Sequence, residues 1–193
     1  MWNVVLDKEL INEFTALLLR WNAKINLISK KTLYNISKRH IMDSIQLMKF
    51  VNQTNVVLTD FGSGAGFPGI ILSYCGIKEV HLIEADSRKA AFLHEAARIS
   101  PNKVYIHNAR VESLTPWKSD IITSRAFTGL DNLLPITKEY FTNDSKGLFL
   151  YGSKEIEKIP IICKSNGFDY IKHQSITEDK SFIIEVKLHG TKS

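Results

Sequence analysis

"TDFGSGAGFPGI", residues 59–70, holds four glycines and a proline in twelve residues. The apolar run Val56-Val57-Leu58 precedes it and Ile70-Ile71-Leu72 follows. Glycine loses more conformational freedom on folding than any other residue, so such a run is a poor core-builder. It suits a place where the backbone must come close to something else. A strand, a glycine loop and a helix in that order put the loop at the carboxyl edge of a parallel sheet, where ligands bind. The loop parses as GxGxG through Gly62, Gly64 and Gly66, or as GxGxxG through Gly64, Gly66 and Gly69. The second is the dinucleotide fingerprint, which alone is a weak signal.

Working outward, short β-rich runs alternate with helical stretches from residue 56. Strands are expected at 56–61, 80–85, 104–108, 120–125 and 147–152. Helices are expected in "PGIILSYC", "SRKAAFLHEAARIS", "LDNLLPITKEYF" and "EIEKIPIICKSNG". Pro68 suits a first helical turn. Asp86 or Ser87 suits a cap, and Thr128 with Asp131 resembles a capping box. The tail reads as two strands, "FDYIKHQSI" and "KSFIIEVKLH", joined by "TEDK" and adding an antiparallel edge. Alternating strand and helix implies an α/β fold with a mostly parallel sheet and helices on both faces. Before residue 56 the chain reads as helix. Leu10, Phe14, Leu17, Leu18 and Trp21 fall at helical spacing, as do Ile41, Ile45, Met48 and Phe50, around the polar, irregular "NAKINLISKKTLYN". The expected division is a helical extension, 1–50, on a ligand-binding domain, 51–193, together one compact unit.

The 193 residues are 44% hydrophobic and 23% charged, ordinary for a globular protein. No apolar run approaches the ~20 residues of a membrane helix. "MWNVVLDKEL" lacks the basic-then-apolar pattern of a secretory signal. Cys75 and Cys163 show neither metal-ligand nor redox spacing and read as buried thiols in a reducing cytoplasm. A net charge of +5 leans toward anionic partners, nucleic acid first.

Two acids refine the loop. Glu84 ends the second strand, 20 to 22 residues beyond the loop glycines, where an acid commonly takes ribose hydroxyls. Both a nicotinamide cofactor and S-adenosylmethionine (SAM) carry that ribose. Asp60 lies at the mouth of the first strand. An acid there repels pyrophosphate and attracts an ammonium or sulfonium, which favours SAM.

"DFGSGAGFPGI", "SRKAAFLHEAAR", "NARVESL" and "SRAF", with "RWNAKINLIS" and "RHIMDS" in the leader, resemble the RsmG (GidB) family over most of residues 10–152. The resemblance implies a class I SAM-dependent methyltransferase (Rossmann-like) fold with a seven-stranded sheet and a helical N-terminal extension. It implies transfer of a methyl group to N7 of a specific guanine in 16S ribosomal RNA, free or in the small ribosomal subunit, by a cytoplasmic, monomeric enzyme. It also implies that Gly62 and Phe67 line the cofactor, that Val111 and Glu112 sit at the adenine, and that Arg125 lies at the end of the fourth strand. With the loop acids and glycines, the expected SAM contacts are Asp60, Gly62, Gly64, Gly66, Phe67, Glu84, Val111, Glu112 and Arg125. One departure is Tyr151, where the family commonly has lysine; Lys154 is nearby.

The chemistry suits that target. "SRAF" offers neither the cysteine of a cytosine C5 methyltransferase nor the polar-Pro-Pro-aromatic motif of an exocyclic-amine enzyme. Guanine N7 exposes a lone pair and needs no general base, so no catalytic acid, base or metal is expected beyond positioning by Arg125. N7 faces the deep groove of an RNA helix, so the target must be unpaired or splayed out. Lys24, Lys30, Lys31, Lys38 and Arg39 are candidate phosphate contacts. His40 and Asp43, three apart, read as a tie between leader and core. A SAM-dependent enzyme with another substrate and a nicotinamide-dinucleotide protein remain alternatives.

Overall fold

The computed structural model describes residues 7–190, apart from the side chains at 154 and 155. The readings of the first six residues and of Lys154 therefore lie outside the described residues. Helix α1 (Lys8–Asn22) opens on Asp7, whose carboxylate accepts from the Glu9 amide at 2.8 Å. A four-residue α2 (Lys30–Leu33) sits inside the segment read as irregular. The second leader helix is not one regular helix. A π-helical turn (Ser37–Met42) runs into α3 (Asp43–Ile45) and a 3₁₀ turn (Gln46–Phe50). Side chains compete for the local backbone here: Ser44 Oγ donates to the His40 carbonyl at 2.7 Å, and Gln46 Nε2 to that of Asp43 at 3.1 Å.

The remainder alternates strand and helix as the pattern requires. The strands are β1 (Val57–Phe61), β2 (Glu79–Ile83), β3 (Lys103–His107), β4 (Ile121–Arg125), β5 (Lys146–Gly152), β6 (Phe168–Gln174) and β7 (Ser181–Leu188). They form one seven-stranded sheet in the order β3-β2-β1-β4-β5-β7-β6. The first five are parallel, and β7 runs antiparallel between β5 and β6. Order reverses at β1, which places the switch point between β1 and β4.

Alternation along each strand sends side chains to two cores. Leu58, Ile121, Leu148 and Ile183 face a core shared with α4 (Gly69–Tyr74), α5 (Ser87–Ala97) and the leader residues Phe14, Leu18, Ile41 and Leu47. Phe61, Ile122, Phe149 and Ile184 face the other, shared with α6 (Leu130–Thr137) and α7 (Ile159–Asn166). Over β1–β3 this second face is covered by Trp117. Its Nε1–H donates to Thr59 Oγ1 at 2.9 Å and its ring stacks on His107. Among the described residues no helix is long and apolar enough to cross a membrane.

Asp86 caps α5, accepting from the Arg88 and Lys89 amides. The capping box read at Thr128 and Asp131 does not form. Gly129 takes the N-cap position of α6, without a side-chain cap. Cys163 is buried and Cys75 only partly so, and both are free thiols.

Gly69 answers part of the question the loop raises. A Cβ built on it would lie 2.3 Å from Leu82 Cδ2 and 3.0 Å from Asp60 Cβ, so α4 packs directly onto β1 and β2. Adding a methyl overfills that contact. Gly69→Ala is expected to cost about 1–3 kcal/mol of stability, read as a lowered urea midpoint at unchanged slope.

Candidate cofactor cleft

The glycine loop leaves β1 and is sewn to the end of β2. The Gly62 and Ser63 amides both donate to the Ile83 carbonyl, at 3.0 and 3.1 Å. This turn holds Gly62 and Gly64 at φ 68° and 54°, a region that strains side-chain-bearing residues. The two glycines serve different ends. A Cβ on Gly62 would meet the Phe127 ring at 2.3 Å, whereas one on Gly64 would meet only the Gly62 carbonyl oxygen, at 3.8 Å. Gly62 admits a neighbouring ring; Gly64 presents bare backbone to open space.

That space is a cleft of about 1080 Å³ at the carboxyl ends of the strands. Of the expected contacts it brings together Gly62, Gly64, Phe67, Glu84, Val111, Glu112 and Arg125. Asp60 and Gly66 are not in its wall. Gly66 lies under the loop, where a Cβ would strike Ile70 at 2.8 Å.

Asp60 is fully buried beneath the loop. Its carboxylate accepts from Thr123 Oγ1 at 2.7 Å and, at a long 3.4 Å, from the Gly69 amide. Burial raises its pKa to about 6, against the opposing hydrogen bonds of Thr123 and Ser63.

Glu84 is held at both oxygens. Oε2 accepts from the Gly64 amide and Oε1 from the Asp86 amide, each at 2.8 Å. Asn108 Nδ2 donates to the Glu84 carbonyl at 3.0 Å and so ties the end of β3 to this corner. Each carboxylate oxygen keeps a second lone pair for a ligand hydroxyl. Val111 is buried and Glu112 exposed, in a 3₁₀ turn (Val111–Ser113) on the same side.

Arg125 ends β4 on the opposite side of the glycine loop, and the leader encloses it. Its Nη1 donates to the Arg39 carbonyl at 3.1 Å and lies 3.5 Å from Asp43 Oδ2. Its Nη2 is 2.8 Å from His40 Nδ1, and its guanidinium lies over the Phe67 ring, 5.0 Å from the centroid. Burial lowers its pKa from the usual value and Asp43 opposes the shift. His40 stacks on Phe67, centroids 4.9 Å apart. Burial, with Arg125 and Arg39, pushes the His40 pKa down to about 3. His40 and Asp43 thus tie leader to core, and both also line the cleft.

Sequence reading missed several wall residues. The "TEDK" turn brings Thr177 and Glu178 to the cleft. Thr177 Oγ1 donates to Asp43 Oδ1 at 2.7 Å, and Glu178 pairs with Arg39. No local signal marks such partners, more than 130 residues apart. The pairing engages Arg39, whereas Lys24, Lys30, Lys31 and Lys38 are exposed. Tyr151 also lines the cleft, and its hydroxyl donates to the Thr128 carbonyl at 2.9 Å, holding the segment after β4. His107 lies outside the cleft, against His81 and Trp117.

The architecture is that of class I methyltransferases. A putative SAM-dependent methyltransferase from Methanococcus maripaludis superposes with a TM-score of 0.66 at 14% identity, over 84% of this chain and 93% of that one. Closer likeness lies in sequence. A ribosomal RNA small subunit methyltransferase G from Orientia tsutsugamushi (strain Boryong) is 43% identical over 96% of this chain and 94% of its own length. Its counterpart from Rickettsia akari (strain Hartford) is 42% identical over 92% of each. The family model described as rRNA small subunit methyltransferase G matches residues 7–183. The chain belongs to that family, GidB.

Proposed function

We propose that this chain methylates N7 of a guanine in 16S ribosomal RNA, with SAM as donor, in the cleft at the switch point. Membership of the GidB family supports the reaction class. The observation that carries the cofactor reading is the Glu84–Gly64 hydrogen bond. In a dinucleotide site the loop amides turn to the pyrophosphate. Here the Gly64 amide is already satisfied by a carboxylate, and a second acid, Asp60, lies beneath the loop. Both disfavour phosphate and suit a cation.

The residues fit SAM. Glu84 receives the ribose hydroxyls, Val111 and Glu112 flank the adenine, Gly64 lets the chain of the cofactor pass over bare backbone, and Gly62 lines the cleft beside the Phe127 ring. Phe67 walls the far end and Arg125 fixes the leader against it. Asp60 and Gly66 act from below, the first through its charge and the second by setting the turn. When bound, SAM supplies an electrophilic methyl on a sulfonium leaving group. The N7 lone pair attacks without losing a proton, so the protein's work is alignment and exclusion of water. Lys24, Lys30, Lys31 and Lys38 stand on the leader that forms one rim, placed to meet flanking phosphates. We read residues 1–50 as an extension of the domain 51–193, because its described residues share the core of α4 and α5. The same reading takes the protein as a cytoplasmic monomer acting on the small-subunit RNA.

Glu84→Ala is expected to weaken SAM binding by about 1.5–3 kcal/mol, as for loss of a hydrogen bond to a charged group. Adenine, which lacks the ribose, should bind variant and parent alike in calorimetry. An equal loss for both would assign Glu84 to the loop fold alone.

Asp60 gives the site a pH dependence. Above about pH 6 it is ionised and attracts a cationic ligand; below, it is neutral. SAM affinity is therefore expected to fall as pH drops through about 6. A folded Asp60→Asn variant should start weaker and lose that step. The same fall in the variant would remove Asp60 from the electrostatics of the site.

The nucleophile is tested with an RNA carrying 7-deazaguanine at the target. It should bind with parental affinity and accept no methyl group. Full transfer to it would exclude N7.

A further inference from the structure

Among the described residues, one large apolar side chain of the cleft wall stands exposed: Phe127, at 41%. A phenyl ring has no polar group to offset that contact with water. The other aromatic rings of the wall are engaged. Phe67 is buried, with His40 stacked on it and the Arg125 guanidinium over its face. Tyr151 is half-buried, and its hydroxyl donates to the Thr128 carbonyl. We propose that the Phe127 ring is the platform on which the target guanine stacks when its N7 meets the methyl group. This rests on the methyltransferase reading above and adds the residue that holds the substrate base.

Three features fix the ring where it is. Gly62 has no Cβ, and one built there would overlap Cβ, Cγ and Cδ2 of Phe127. The root and one edge of the ring are thus seated on the glycine loop, and the rest of it stands in the cleft. Ala126, just before it, has φ 55°, a left-handed conformation that is unfavourable for a residue with a side chain. Backbone strain of this kind persists only where the surroundings impose it, and it concentrates at ligand clamps. On the other side of the ring, Tyr151 holds the Thr128 carbonyl at 2.9 Å. The chain therefore bends sharply between β4 and α6 and presents one apolar ring to open space.

Strand order separates the ring from the adenine of the cofactor. Glu84, Val111 and Glu112 follow β2 and β3, whereas Phe127 follows β4, on the other side of β1. A cofactor with its nucleoside on the first group leaves the ring free for the second substrate. A guanine drawn out of its RNA loses its stacking neighbours, and an aromatic side chain replaces one of them. Face contact also suits the reaction. The N7 lone pair lies in the plane of the base, so a ring against the face fixes that plane and leaves the edge open. The bond from N7 to the methyl carbon forms as the bond from that carbon to sulfur breaks. The electron pair stays on sulfur, and the positive charge passes to the purine. The negative face of a phenyl ring attracts that charge. The contact is thus stronger during transfer than before it, which is the condition for a contact to raise the rate.

Single-turnover methyl transfer to the target RNA, with SAM affinity read by calorimetry, tests this on the full chain. Phe127→Leu keeps apolar bulk and removes the ring. It should lower the transfer rate roughly ten- to a hundredfold, as for a lost base stack, and leave SAM affinity at the parental value. Phe127→Tyr, which keeps a ring, should lose far less. Pentafluorophenylalanine in place of Phe127 keeps the shape but reverses the charge distribution of the ring. It should slow transfer while SAM affinity holds. Circular dichroism and thermal unfolding establish that the variants are folded. A parental rate for Phe127→Leu, or for the fluorinated ring, would overturn the assignment. An equal loss of rate and SAM affinity in Phe127→Leu would overturn it too, and would make the residue part of the cofactor wall. A parent protein that binds no SAM, or that methylates the 7-deazaguanine RNA, would instead remove the N7 reading, and this assignment with it.

Discussion

A mostly buried guanidinium at the end of β4 has to be satisfied, and among the described residues the groups that satisfy Arg125 from outside the sheet come from the leader and the glycine loop. The Arg39 carbonyl, His40 Nδ1 and Asp43 take its edge, and Phe67 takes its face. Breaking one side of such a cluster leaves a mostly buried charge short of partners, which is costlier than losing a surface pair. The arrangement therefore commits the leader to one position over the strand ends. It also accounts for the irregular turn there. A regular helix offers few carbonyls sideways, whereas the π-helical stretch presents Arg39 and His40 together to one partner. Asp43 is fixed in turn by Gln46 and Thr177, so the β6–β7 turn joins the same network.

The glycine loop makes the complementary demand. It must expose backbone on one side and fit tightly on the other. Gly64 faces open space, Gly62 yields to Phe127, and Gly66 and Gly69 are pressed against Ile70 and Leu82. Two acids bracket the loop, Glu84 at its amides and Asp60 beneath. Glu84 is held by backbone donors on both oxygens, whereas Asp60 is short of them, with one good hydrogen bond and one long one. That difference explains why burial leaves Asp60 with a raised pKa. A cation above it would lower that pKa again, so a positively charged ligand is favoured over the loop.

What was legible in the sequence is what is local along the chain. The change of period near residue 56, the glycines after an apolar run, and an acid some twenty residues later are all short-range patterns, and they give the sheet, the loop and Glu84. The "TEDK" turn was legible as a turn but not as a wall of the cleft, because its partners Arg39 and Asp43 are distant in sequence. Asp60 was legible as an acid at the loop, yet its burial depends on how closely α4 approaches β1, which only packing decides. Thr128 and Asp131 had capping-box spacing, but Gly129 already allows the extended N-cap conformation. Tyr151 stood out only as a departure; its hydrogen bond to Thr128 shows it bracing the segment that carries Phe127.

In the proposed reaction no proton need leave the nucleophile, so the site is built to hold things still. His40 is neutral, Arg125 is permanently charged and Glu84 is locked to the backbone; none is arranged as a proton shuttle. Rigidity then has to come from outside the sheet, since strands end at the cleft and their last residues are free on one side. The leader supplies it. Its inner side carries Phe14, Leu18 and Ile41 into the core and His40 and Asp43 into the cleft, while its outer side exposes Lys24, Lys30, Lys31 and Lys38. On the proposed reading, the segment that meets RNA phosphates is also the segment that walls the cleft through His40 and Asp43. On that reading, RNA held by those lysines and a cofactor held in the cleft act on one segment, which also packs against Arg125. Linkage of that kind is reciprocal: RNA should bind more tightly to the protein with cofactor in place, by the same factor that RNA tightens the cofactor.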